Sequence, residues 1–460
     1  MSSIRLALPS SLRALLARGV GSAVVSGFVL VAMLTVVGKL AAFAKDALVA
    51  AKLGTADDLD AFMLVFGFLS FACTVLAGGL PESFVPALAD LRERRGARRA
   101  GRLGVQSAVW HFGILLVCAI ALAWAAPMVV EWTGRGFAPA KQDLAVRLLR
   151  GLLPFLLCFG LAQHLGAWLR AEGAFLLATS SPMLVPLGIV AAILLADGPA
   201  DTWTLVTGTV WGAGAHAATL LMAVARRLPR SKAWWFCGLR HWEPSMRVVL
   251  GNAPPFLLGG VAFGSAVVVD QTMAAWLATG SVAVLSYSDK VCAIVLAVTA
   301  GPASDVLFPH FAKLVAQRDW AALRRRLLAS AGLIISAALP MTLFLCFFAP
   351  WVVRLLFERG AFGPQDTERV AAVLRYAALQ IPFYILGTVA TRVAVSLQAS
   401  RLILIIPLTA LVLNATLNWV LMARMGVAGI ALSTVLVHFV CALATSITCL
   451  VLIRRKEEAA

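Results

Sequence analysis

The sequence predicts an all-α, polytopic membrane protein of about 12 transmembrane helices, arranged as two parallel six-helix repeats. Three observations predict it. The chain is 61% hydrophobic over 460 residues, with a mean hydropathy of +0.90, whereas soluble domains are about 45–50% apolar. Apolar runs such as 112–126, 176–196 and 333–350 approach or reach the roughly 20 residues that cross a bilayer as a helix. Passages of the first half also recur in the second at a nearly constant offset.

Taken in order, the spans fall near 22–50, 59–89, 104–131, 144–170, 175–196, 202–225, 248–278, 282–315, 325–350, 369–399, 402–422 and 427–453. Several exceed the hydrocarbon thickness and must tilt, kink or protrude. The N-terminus carries Arg5, Arg13 and Arg18 ahead of the first long run, which is too long for a signal peptide and continues into charged residues. It reads as an uncleaved amphipathic start.

The loops sort by charge. One set holds Arg5, Arg13, Arg18, the arginine-rich stretch 92–102, Arg170, the stretch 226–247, the stretch 313–326, Arg401 and the stretch 454–456. The other holds Lys52, Arg135, Lys141, Arg354, Arg359, Arg369 and Arg424 with much of the acid, including Asp57, Asp58, Asp201, Asp366 and Glu368. Basic residues mark cytoplasmic loops, so both termini are expected in the cytoplasm. The net charge of +17 is then a topology signal, and no nucleic-acid-binding motif opposes that reading.

The repeats are specific. Pro86 and Pro309 are 223 positions apart, in the matching passages Phe-Val-Pro-Ala-Leu-Ala-Asp-Leu and Leu-Phe-Pro-His-Phe-Ala-Lys-Leu. Ala126-Pro127-Met128-Val129-Val130 returns as Ala349-Pro350-Trp351-Val352-Val353, again at 223. Asp46 and Asp270 open matching passages at 224, and Arg135-Gly136-Phe137 matches Arg359-Gly360-Ala361-Phe362 with one inserted residue. Leu153-Pro154-Phe155 matches Ile381-Pro382-Phe383. A unit of six helices returns the chain to its starting side, so the copies are parallel and face each other across a cavity. The domain expectation is a segment at 1–21, an N-lobe at 22–226, a linker at 227–247, a C-lobe at 248–453 and a tail at 454–460.

A charge at the bilayer centre costs at least about 2.5–3.5 kcal/mol, so charges inside spans point to a wet cavity or a partner. Lys39, Lys45 and Asp46 lie in the first span, Asp60 opens the second, Asp270 lies in the seventh, Asp289 and Lys290 in the eighth, and Arg392 in the tenth. Lys39, Lys45, Lys290 and Arg392 are the candidate cations for an anionic head group such as a pyrophosphate. Asp46, Asp60, Asp270 and Asp289 are the candidate charge-tuning or ion-coupling acids. The competing reading is snorkelling and local ion pairing; adjacent Lys45 and Asp46 fit either. The eight cysteines form no metal-ligand spacing and read as core hydrophobes, and the histidines are isolated. No metal site is expected. Neither a phosphate-binding GxxxxGK[ST] nor a G-x-S-x-G elbow occurs, so the chain reads as a transporter and not an enzyme.

The collinear passages “GKLAAFAKDALVAAKLGTADDLDAF”, “ESFVPALADLR”, “GSVAVLSYSDKV”, “VLFPHFAKL” and “LLFERGAFGPQDT” resemble the MurJ/MviN family of lipid II flippases, within the multidrug/oligosaccharidyl-lipid/polysaccharide exporter (MOP) superfamily. The resemblance implies a V-shaped, MATE-like fold in the bacterial inner membrane. It implies alternating-access transfer of an undecaprenyl-pyrophosphate-linked saccharide, lipid II, from the cytoplasmic to the outer leaflet. The family's basic residues in the first and eighth helices fall on Lys39, Lys45 and Lys290, with Asp46 and Asp289 beside them, and Asp60 matches an acid at the start of the second helix. The family usually has arginine at the three lysines, charges in the second helix where this chain reads “FACTVLAGGLPES”, and two further helices after the twelfth. Alternatives are a flippase for an exopolysaccharide or O-antigen unit, a cation-coupled multidrug exporter, and a membrane scaffold without transport. No cofactor is expected; the drive is a coupling ion, Na+ or H+, or the membrane potential. The expected partners are the lipid-linked glycan, membrane lipid and envelope glycan synthesis proteins.

Overall fold

The computed structural model describes residues 22–196, 198, 200–228 and 242–458. The N-terminal arginines and most of the 227–247 stretch lie outside the described residues. The regular structure of the described residues is helical: α1 (Ser22–Leu53), α2 (Asp57–Arg95), α3 (Ala97–Thr133), α4 (Pro139–Ala171), α5 (Phe175–Ser180), α6 (Leu184–Leu194), α7 (Thr202–Ala225), α8 (Ser245–Ala275), α9 (Ser281–Ala316), α10 (Trp320–Phe357), α11 (Pro364–Ala377), α12 (Gln380–Ser396), α13 (Ser400–Met425) and α14 (Val427–Glu458). Among the described residues 10 helical segments are long and apolar enough to cross a membrane, and the α11–α12 pair, bent by 42°, makes an eleventh. Helix α1, 32 residues long, stands beside these. The protein is a multi-pass, all-α membrane protein.

The expected spans and the helices coincide, with three informative differences. The arginine-rich stretch 92–102 is not a loop. Helix α2 runs through Arg95 and α3 starts at Ala97, so Gly96 alone, at φ 82°, makes the joint. Only glycine adopts that backbone conformation readily. The fifth span is broken by a 3-10 turn at Ser181–Met183, where Pro182 has no amide hydrogen to donate. Helix α14 carries the expected tail up to Glu458.

Prolines recur at matched places: Pro86 and Pro309 lie inside α2 and α9, Pro127 and Pro350 inside α3 and α10. Membrane helices tolerate them because neighbouring groups satisfy the freed carbonyls. Two helix starts are capped by short polar side chains. Asp201 accepts from the Thr204 amide at 2.8 Å at the start of α7, and Asp319 from the Ala322 amide at 3.0 Å at the start of α10.

Helices α2 and α8 pack antiparallel, one from each copy. The seam is built on glycine. Gly264 faces the Phe71 ring, Gly260 faces the Val75 backbone and Gly79 faces Leu257. Small residues bring membrane helices together where apolar burial gives no drive. A second helix and a seventh run in opposite directions in a chain of parallel six-helix repeats, and this pair does.

Candidate functional site

A cavity of about 430 Å³ opens between the copies. Helix α1 brings Lys45 and Asp46, α2 brings Phe62, Phe66 and Ser70, α8 brings Gln271, and α9 brings Ser286, Asp289 and Lys290. The reason these meet is helical spacing. Ser286, Asp289 and Lys290 stand three and four residues apart and share one face of α9. The wall is apolar, and its charges are concentrated on α1 and α9, one helix from each copy.

Asp46 joins those two helices. Its Oδ1 lies 2.6 Å from Lys45 Nζ and 2.8 Å from Lys290 Nζ. Lys290 Nζ also lies 5.0 Å from the centre of the Tyr287 ring, a cation–π contact. Two lysines and two carboxylates line the cavity, and Asp46 holds both lysines in place.

The other sequence candidates lie elsewhere. Lys39, about one and two-thirds turns before Lys45 on α1, is exposed and outside the cavity lining. Arg392 on α12 donates from Nε to Ser304 Oγ at 2.6 Å and lies over the Phe308 ring. Asp60 is buried at one end of the molecule. It accepts from the backbone amides of Gly280 at 2.6 Å and Ala283 at 2.8 Å, at the start of α9, and lies 3.3 Å from Lys141 Nζ. A carboxylate at a helix N-terminus satisfies orphan amides and meets the positive end of the helix dipole.

Asp270 forms a second polar centre, inside the second copy. Its Oδ1 accepts from Asn414 at 3.0 Å and Asn418 at 2.6 Å, and its Oδ2 from Thr434 Oγ1 at 3.2 Å. Asn418 Oδ1 is buried without a hydrogen-bond partner. Asn414, Asn418 and Thr434 lie 144 to 164 positions beyond Asp270 in the chain. The one signal in their own neighbourhoods was an amide pair four apart on α13, Asn414 and Asn418. Among the described residues no group of three or more His, Cys, Asp or Glu is placed to hold a metal ion.

Histidine contacts are packing contacts. His111 and His164 stack at 5.2 Å, with Phe84 4.6 Å from His164.

A family model described as lipid II flippase MurJ matches residues 49–456. A protein of Rhizobium tropici named probable lipid II flippase MurJ is 27% identical over 375 residues, covering 79% of this chain and 69% of that protein. A solved structure titled lipid II flippase MurJ, inward closed conformation, overlays with a TM-score of 0.76 at 18% identity, covering 91% of this chain and 87% of that one. An inward-facing multidrug resistance MATE family transporter of the MOP superfamily overlays at 0.75 and 16% identity, covering 92% and 96%.

Proposed function

This chain belongs to the lipid II flippase MurJ family, a family of transporters and not enzymes, and from that premise we propose that it carries lipid II, an undecaprenyl-pyrophosphate-linked saccharide, from the cytoplasmic to the outer leaflet of the bacterial inner membrane. The observation that carries this reading is the Lys45–Asp46–Lys290 bridge between α1 and α9 inside the cavity. The pyrophosphate displaces Asp46 and takes both ammonium groups, which ties α1 to α9 through the cargo. The saccharide occupies the remaining cavity, against Gln271, Ser286 and Ser70, and the polyprenyl tail stays in lipid. Lysine pairs lining the wall oppose a cavity for organic cations.

Both termini lie in the cytoplasm in this reading. The Arg92 and Arg227 end, held together by Glu172 at 3.4 and 3.2 Å, faces inward, and the Asp57, Asp60 and Asp366 end faces outward. The N-lobe and C-lobe of the repeat then rock about the cavity. Carrying a negative charge outward across an inside-negative membrane gains about 2.3 kcal/mol per charge per 100 mV. The Asp270 centre is the ion-coupling site of the second lobe. Its carboxylate, amide and hydroxyl oxygens are the hard donors a small cation takes, and Asn418 Oδ1 is free to join them.

Complementation of cells depleted of their own lipid II flippase tests this. The unmodified chain is expected to restore growth and Lys290→Ala to fail at matched membrane level. Failure of a well-expressed unmodified chain overturns lipid II as the cargo.

A further inference from the structure

The turns of the two copies interlock at the end that holds Asp60. Gly136, in the turn between α3 and α4, lies on the carbonyl of Ala275 in the last turn of α8. A Cβ at Gly136 would overlap that oxygen and come within 2.6 Å of Trp276 Cα. Gly360, in the turn between α10 and α11, lies on the carbonyl of Ala51 in the last turn of α1, and a Cβ there would overlap that oxygen in the same way. The two contacts are one contact written twice: position 136 plus 224 is 360, and position 51 plus 224 is 275. Each copy's Arg-Gly turn therefore lies on the first helix of the other copy.

The last carbonyls of a helix have no partner within it. Ala51 finds its partner across the seam, because the Ala361 amide donates to its oxygen at 2.8 Å. Gly54, just after α1, has φ 57° and faces the Ala361 carbonyl in return. Tyr287 Oη, on α9, donates to the Gly54 carbonyl at 3.2 Å. The two turn contacts are made by backbone groups, joined by the Tyr287, Thr55–Asp366 and Arg369–Thr279 hydrogen bonds, and water satisfies such polar groups on separation, which suits a contact that opens and closes.

We propose that the Gly136 and Gly360 turns form a reciprocal latch that holds the outer end shut, and that opening to the outside requires both to release. The inference rests on the alternating-access reading and its topology, and not on the identity of the cargo. The latch is unequal: the Gly360 side carries the Ala361–Ala51 hydrogen bond, so it is the stronger half.

The test is labelling of a cavity cysteine from outside. Ser70→Cys on α2 is treated with a membrane-impermeant maleimide in right-side-out vesicles, and the chain without it sets the background from its own cysteines. Gly136→Ala is expected to raise the labelling rate roughly three- to tenfold, the effect of losing one hydrogen-bond-sized contact. Gly360→Ala is expected to raise it more. Gly363→Ala, in the same turn but with open space at its Cβ, is expected to leave it unchanged. Tyr287→Phe keeps the ring, loosens the same seam, and is expected to give a smaller rise; it carries the test if a glycine variant fails to accumulate. Unchanged labelling in the glycine variants and Tyr287→Phe, or an equal rise in Gly363→Ala, overturns the latch.

Discussion

Asp46 and Asp270 stand at matched positions of the two copies, each in the last two turns of its copy's first helix, yet they meet opposite surroundings. Asp46 faces the cavity between two lysines, one from each copy. Asp270 faces inward to Asn414, Asn418 and Thr434 of its own copy. A carboxylate beside ammonium groups pairs with charge; a carboxylate held by neutral amide N–H and hydroxyl donors keeps its own charge uncompensated, with the Asn418 amide oxygen nearby. Duplication set the place of the acid, and the side chains of other helices set its chemistry. In the proposed function one copy's acid meets the anionic cargo and the other's meets a coupling ion.

The largest expected effect breaks the Asp46 side of this comparison. Lys290→Ala leaves the cavity with one cation and removes the ion pair that joins α1 to α9, and lipid II transfer in vesicles is expected to fall about tenfold or more, the loss of a charge-assisted contact of about 1.5–3 kcal/mol. Lys290→Arg is expected to retain transfer, because a guanidinium fork also grips a pyrophosphate. Equal loss in both variants would remove pyrophosphate binding from Lys290.

Next in size is the seal that the two acids do not share. Asp60→Ala strips the Gly280 and Ala283 amides of their acceptor and leaves buried Lys141 with Asp57 alone. Melting in detergent is expected to drop by several degrees, equivalent to about 2–3 kcal/mol. An unchanged melting temperature would make this end looser than its hydrogen bonds imply.

The Asp270 side is sharpened by salt. Melting of the unmodified chain is expected to rise when sodium replaces choline at constant ionic strength, by the mass-action gain of a bound ligand, about 2.7 kcal/mol at 100 times the dissociation constant. Asp270→Ala is expected to abolish the difference. A sodium response that survives Asp270→Ala would place the coupling ion elsewhere.

The smallest effects belong to cations outside the cavity. Lys39→Ala and Arg392→Ala are each expected to lower transfer less than about threefold, Lys39 because it is exposed and Arg392 because its Nε is held by Ser304 away from the cavity lining. A loss as large as that of Lys290→Ala would draw either residue into the path of the cargo.

Helix positions were legible in the sequence because hydropathy is local: each span announces itself within its own twenty residues. The repeats were legible because duplication leaves a constant offset, and Lys45, Asp46, Asp289 and Lys290 were legible because a charge inside an apolar run is costly wherever it lies. The single-residue joint at Gly96 was hidden, since arginines read as loop whether or not the helix continues through them.

What the chain by itself determined is the class of the protein: an all-α membrane transporter, written twice, with a few charges set inside its spans. The tertiary structure alone decided which of those charges meet. Lys290 reaches Asp46 across 244 positions, from 46 to 290, while Lys39, seven positions from Asp46, stays outside the cavity. Side-chain partnership depends on which helix faces cross in space. That crossing is set by glycine seams and by turns such as Gly136 and Gly360, whose partners lie in the other half of the chain.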